Sequence, residues 1–244
     1  MATVIAGISG AIGNALAEQY LKATEQSVIG LCREPEQLSQ GLRSDPRVKL
    51  IEWHAESAPD SALRDQLAEP LGQSEELENL VYAAGLLHDD GMFPEKRLED
   101  LDAENLMRAF QVNALGFGLL VRELLPWLRG KHLKRVAAVS AKVGSISDNH
   151  LGGWYAYRCS KAALNMLVKN LSVELPRRCS PIACVALHPG TTQSLLSEPF
   201  SQSLAKLKVH EPAQTASNLY EVLSSVTEAD NGRFINWDGS DLPW

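Results

Sequence analysis

Apolar positions along the chain fall into two alternating patterns. Short β-branched runs, nearly free of polar residues, are separated by longer stretches whose apolar residues recur three or four apart. The first pattern predicts strands and the second helices. Strands are predicted at Thr3–Ala6, Val28–Leu31, Val48–Trp53, Leu80–Ala83, Arg135–Ser140, Ile182–Leu187 and Arg233–Asn236. Helices are predicted at Ile12–Thr24, Ser61–Leu71, Leu101–Leu128, Tyr155–Leu175 and Pro212–Ser225. Continuous rather than alternating apolar strands are expected where helices cover both faces of a sheet. The expected fold is therefore α/β: one doubly wound Rossmann-type domain over residues 1–244, its seven-stranded parallel sheet flanked by helices on both faces.

Composition narrows the partners. A net charge of −7 over 244 residues, without a basic tract, argues against a nucleic-acid or anionic-membrane partner. The longest apolar run, Ala114–Val121, is too short to span a bilayer. Cys32, Cys159, Cys179 and Cys184 lack metal-site spacing and are too sparse for a disulfide scaffold. Reduced thiols in a cytoplasmic protein are expected. The first strand opens so near Met1 that no targeting segment is expected.

The candidate chemistry lies at predicted strand ends and helix starts. In VIAGISGAIGNALAEQYL, a strand runs into Gly7, Gly10 and Gly13 and then into a helix, a context that brings backbone N–H groups to a pyrophosphate. After the second strand, Arg33 suits a 2′-phosphate, because Cys32 occupies the position where an acidic residue would bind a ribose hydroxyl. Ala83, Ala84 and Gly85 end the fourth strand with small side chains that permit close approach of a ligand. Asn113 lies in an apolar helical stretch, where its amide needs partners. Ser140 ends the fifth strand. Tyr157 and Lys161 stand one helical turn apart on one face, whereas Tyr155 points elsewhere and packs or lines a pocket. An ammonium beside a phenol stabilises the phenolate, and about 1.4 kcal/mol moves its pKa by one unit. Pro189-Gly190 break the sixth strand ahead of Thr191, Thr192 and Ser194, which either bind a cofactor or cap the next segment. His188 has no evident partner and reads as structural.

In their order along the chain, these motifs resemble the short-chain dehydrogenase/reductase family. LVYAAGLLHDD, FQVNA, GGWYAYRCSKAALN and NGRFINWDGSDLPW are similar to its C-factor and sniffer-like carbonyl-reductase branch. The resemblance implies a soluble oxidoreductase that interconverts a carbonyl and a secondary alcohol, with NADP preferred and NAD as alternative. Tyr157 is then the general acid or base, and Lys161 lowers its pKa and binds the nicotinamide ribose. Asn113 holds a relay water, and Ser140 bonds the substrate oxygen. Gly7, Ser9, Ile12, Gly13, Arg33, Ala83, Ala84, Gly85, Pro189 and Gly190 complete the cofactor set, and no metal is implied. Segments at about 86–97 and 191–209 close the substrate pocket. A homodimer or homotetramer through the long helices near 101–128 and 155–175 is also implied.

The chain departs from the family pattern at four places. Ala11 stands at the middle glycine, Tyr82 and Ala83 at two asparagines, and His54 at an aspartate. The family serine falls on Ala141, one residue beyond Ser140. A single step along a strand reverses the side chain, so Ser140 serves only if a bulge re-aims it, with Ser145 and Ser147 as substitutes. The competing functional reading is a dinucleotide-binding signalling or regulatory protein with little turnover; epimerisation or dehydration on the same scaffold is a third.

Overall fold

In the computed structural model, which describes residues 1–57, 61–72, 76–200 and 208–244, all seven predicted strands form. They are β1 (Ala2–Ala6), β2 (Ser27–Cys32), β3 (Val48–Glu52), β4 (Leu77–Tyr82), β5 (Lys134–Val139) and β6 (Ile182–His188), and lastly β9 (Phe234–Asn236). Between β6 and β9, β7 (Thr191–Thr192) and β8 (Val209–His210) make a separate two-stranded pair. The main sheet runs in the order β3-β2-β1-β4-β5-β6-β9, and every neighbour is parallel.

Helices fill the intervals: α1 (Ala11–Ala23), α2 (Gln40–Ser44), α3 (Ser61–Ala68), α4 (Ala103–Phe110), α5 (Gly116–Leu124), α6 (Tyr155–Glu174), α7 (Pro176–Cys179) and α8 (Pro212–Ser225). They cover both faces of the sheet, which accounts for the unbroken apolar strands. Along β1, Val4 and Ala6 pack on the layer holding Leu67, Phe117, Leu120 and Leu164. Ile5 points the other way, into the layer of Leu16, Tyr20, Leu219 and Leu223. Fully burying such a side chain contributes about 1.5–3 kcal/mol, so β1 is fixed from two sides at once.

One predicted helix differs from expectation in a way that bears on function. The helix predicted over Leu101–Leu128 forms from Ala103, where Asp102 Oδ1 accepts Asn105 N–H at 2.9 Å. It then passes through a π-helical turn at Gln111–Leu115 before continuing as α5. The short helix α2, capped by Ser39, carries too few residues for a periodic signal. Strand order reverses at β1, between β2 and β4, which places a crevice at the carboxyl ends of these strands.

Candidate functional site

The turn after β1 is set by close packing. Gly7 has φ +81°, and a methyl group there would lie 2.6 Å from Ala84 N. One on Gly13 would lie 2.2 Å from Gly7 O, so no larger side chain fits either position. Gly10 caps α1 without a side-chain bond, and the first turn holds no acidic residue. Its N–H groups suit an anion. Ser9 and Ile12 flank this turn, partly exposed. Leu31 O accepts N–H bonds from Gly7 at 2.8 Å and Ile8 at 3.3 Å, which draws the end of β2, and the exposed Arg33 after it, to the glycine turn. A dinucleotide fits this cradle: backbone donors and small residues for its phosphates, a guanidinium at the rim.

A second group assembles at the end of β4. Asn113, fully buried, sits in the π-helical turn, a feature often found at functional sites. Its Nδ2 donates to Leu86 O at 2.8 Å and Ser160 Oγ at 2.9 Å, while Oδ1 accepts Leu86 N–H at 2.7 Å. Ser160 Oγ donates in turn to Tyr157 O at 2.9 Å. A side chain on Gly85 would meet Asn113 Oδ1 at 3.5 Å and Lys161 Nζ at 3.7 Å. The small-residue strand end, the buried amide and the lysine therefore share one spot.

Tyr82 explains one of the departures noted in the sequence. Its phenol, fully buried, donates to Val112 O, a carbonyl inside the π-helical turn. A methyl on Gly116 would lie 2.6 Å from Tyr82 Oη, so the glycine makes room for the phenol. Sequence reasoning registered only the loss of an asparagine here; the partner becomes visible once the helix is known to widen.

Burial governs the Tyr157/Lys161 pair. Lys161 is 3% exposed, and Nζ donates to Val139 O at 2.9 Å while lying 5.8 Å from the Tyr157 ring centre. Burial pushes the lysine down to about 7 and the half-buried phenol up to about 12. This corrects the expectation of a phenol made more acidic. Lys161 directs its donor to a backbone carbonyl, and loss of solvent is what raises the phenol.

Ser140 also requires correction. Its side chain is 2% exposed, and Oγ donates to Asn165 Oδ1 at 2.6 Å. β5 and β6 pair without a register shift from Lys134 to Val139, so no bulge re-aims the serine, and partly exposed Ala141 takes the next position. Neither substitute is free: Ser145 Oγ accepts Asp148 N–H at 3.1 Å, and Ser147 Oγ donates to Trp244 O at 2.8 Å. Asn165 was missed, although Tyr157, Lys161 and Asn165 repeat at the four-residue spacing of one helix face.

Pro189 and Gly190 follow β6 beside the pair β7–β8. Gly190 takes φ +74°, and a methyl group there would press on the Trp237 ring at 3.0 Å. His188 Nδ1 accepts Lys142 N–H at 3.3 Å; burial first, then the Lys142 charge, holds it down to about 4. This agrees with a structural imidazole. Of the predicted pocket segments, 86–97 is described throughout, but residues 201–207 of the second lie outside the described residues.

The short chain dehydrogenase family model matches residues 1–205. C-signal of Myxococcus xanthus is 37% identical over 147 residues, covering 60% of this chain and 83% of that protein. Among solved structures, the carbonyl reductase Sniffer of D. melanogaster superposes with TM-score 0.84 at 26% identity, covering 100% of this chain and 99% of that one. An NADPH-bound carbonyl reductase from chicken fatty liver shares the fold, with TM-score 0.86 at 24% identity, covering 100% and 94% of the two chains. Glycine cradle, switch-point crevice and family match agree: the chain belongs to the short-chain dehydrogenase family and is an NAD(P)-dependent oxidoreductase.

Proposed function

We propose that the chain is an NADP-preferring carbonyl reductase with Tyr157 as proton donor. The observation that carries this reading is the meeting of Asn113 Oδ1 and Lys161 Nζ at Gly85, within 3.5 and 3.7 Å of one Cβ position, beside the glycine cradle. Gly7, Ser9, Ile12 and Gly13 would hold the pyrophosphate half of the cofactor and Arg33 the 2′-phosphate. Ala83–Gly85 and Lys161 would hold the ribose, and Pro189–Gly190 the nicotinamide. When bound, the nicotinamide supplies the hydride. The chain supplies the proton. A phenol pushed up to about 12 stays protonated at neutral pH and is available to a carbonyl oxygen. Lys161, one turn away, directs its Nζ to Val139 O, and Asn113 binds the hydroxyl of Ser160, the residue before Lys161. The NADPH held by the chicken enzyme supports the cofactor reading. Exposed Met107, Leu115 and Met166 on the helices near 101–128 and 155–175 support a dimer or tetramer.

Tyr157→Phe tests the mechanism. Loss of NADPH absorbance across a panel of aldehydes and ketones should fall by at least about a hundredfold, with cofactor affinity nearly unchanged; equal turnover would remove Tyr157 from the chemistry. One observation favours a second reading, a dinucleotide-binding signalling protein with little turnover: the Ser140 hydroxyl is tied to Asn165, in a chain 37% identical to C-signal over 147 residues. Tight NADPH binding with no turnover of any carbonyl would favour that reading.

A further inference from the structure

The chain enters α6 through a strained backbone. Gly152, Gly153 and Trp154 take φ of +65°, +64° and +51° in succession, and Trp154 is the one non-glycine residue with positive φ among the described residues. Glycine adopts this conformation without penalty, whereas a bulky residue holds it only where the surroundings over-determine it. Here the 86–97 segment does so. Trp154 N–H donates to Glu95 O at 2.6 Å. The Glu95 carboxylate, 4% exposed, accepts Ala156 N–H at 3.3 Å through Oε1 and 3.2 Å through Oε2. Glu95 thereby supplies the cap that Trp154 itself does not give the helix. The backbone alone would be best served by a third glycine, so the indole requires its own explanation.

Its surroundings provide one. The Trp154 ring centre lies 6.2 Å from that of Tyr157, at 72°, and 4.9 Å from that of Phe200. Phe200 lies 5.5 Å from Phe93. Three aromatic rings thus continue from the phenol as one wall, drawn from the start of α6 and from both segments predicted to close the pocket. Their faces present π surface and no formal charge.

We propose that Trp154 is a specificity-determining residue, whose indole selects carbonyl compounds with a flat, unsaturated body over saturated, puckered ones of similar size. The proposal rests on the reading of Tyr157 given above. Trp154→Gly tests it, because glycine takes the same backbone freely. Benzaldehyde and cyclohexanecarbaldehyde are compared by kcat/KM with NADPH. The preference for benzaldehyde should fall by about tenfold in Trp154→Gly and be largely kept in Trp154→Phe; an unchanged ratio overturns the proposal. If Trp154→Gly does not fold, Trp154→Leu, which keeps bulk without a π face, should lose the preference to the same extent, and retention there is equally fatal. Should the wild type turn over neither aldehyde, calorimetric titration with benzyl alcohol and cyclohexylmethanol separates the two ideas. Tighter binding of benzyl alcohol that Trp154→Gly abolishes keeps the indole's role while the reductase reading falls. Equal binding of both alcohols overturns the role of Trp154.

Discussion

At Lys161, burial and charge are opposed, and the opposition is measurable. Its folded value near 7 compares with about 10.4 for an unperturbed lysine. Between those pH values the unfolded chain binds a proton that the folded chain lacks, so stability rises with pH from about 7 to about 10. Tyr157, pushed up to about 12, keeps a proton that an unfolded tyrosine loses near 10. Its contribution is therefore lost as pH rises further. Lys161→Met should remove the rise, so that wild-type stability gains on the variant by up to about 1.4 kcal/mol per pH unit above pH 7. Thermal unfolding of both proteins at pH 7, 8 and 9 reads this, and a constant difference contradicts it. The pairing of Tyr157 with Lys161 was legible in the sequence because helix geometry alone fixes residues four apart. The direction of Ser140 was not, because it depends on whether the strand ends with or without a bulge.

Among the elements, the π-helical turn at Gln111–Leu115 shows where periodicity falls short. One extra residue in a turn leaves the apolar pattern nearly intact, so a single helix was the natural reading of Leu101–Leu128. What betrays the turn is chemical: a buried asparagine, a glycine at 116 and a tyrosine where the family has an amide. The Tyr82 phenol satisfies the Val112 carbonyl, and Tyr82→Phe would leave that carbonyl buried without its donor, at a cost of about 1–3 kcal/mol. The melting temperature should fall by several degrees, at about 2–4 °C per kcal/mol for a chain of this size. Reduction should fall as well, because Asn113 stands on the same turn. An unaltered melting temperature would show that the phenol does not hold the turn. The strands are plain in the sequence, since burial on both faces imprints itself directly as apolar runs. β7 and β8 are only two residues each, below any periodic signal.

Over the whole molecule, the doubly wound sheet followed from alternation alone, whereas the pocket walls did not. Loops such as 86–97 take their shape from contacts like that of Glu95 with α6, which join residues 61 apart in sequence. No helix among the described residues is long and apolar enough to cross a membrane. A ligand that binds only the folded chain raises its stability by about 2.7 kcal/mol at a hundredfold excess over Kd. Saturating NADPH should therefore raise the melting temperature by about 5–11 °C. NADH at equal concentration should do less. Arg33→Ala should erase the difference between them, and a parallel loss for both cofactors would contradict the 2′-phosphate assignment.

The contact between Gly7 and Ala84 has a consequence for how such a molecule is able to change. Because the loop after the first strand rests directly on the end of the fourth, the floor under one half of the crevice is also the floor under the other. Neither can be recarved without disturbing its neighbour. Variation in what the protein accepts is thereby driven outward, to the rims of the crevice, where side chains rather than packed backbone set the boundary.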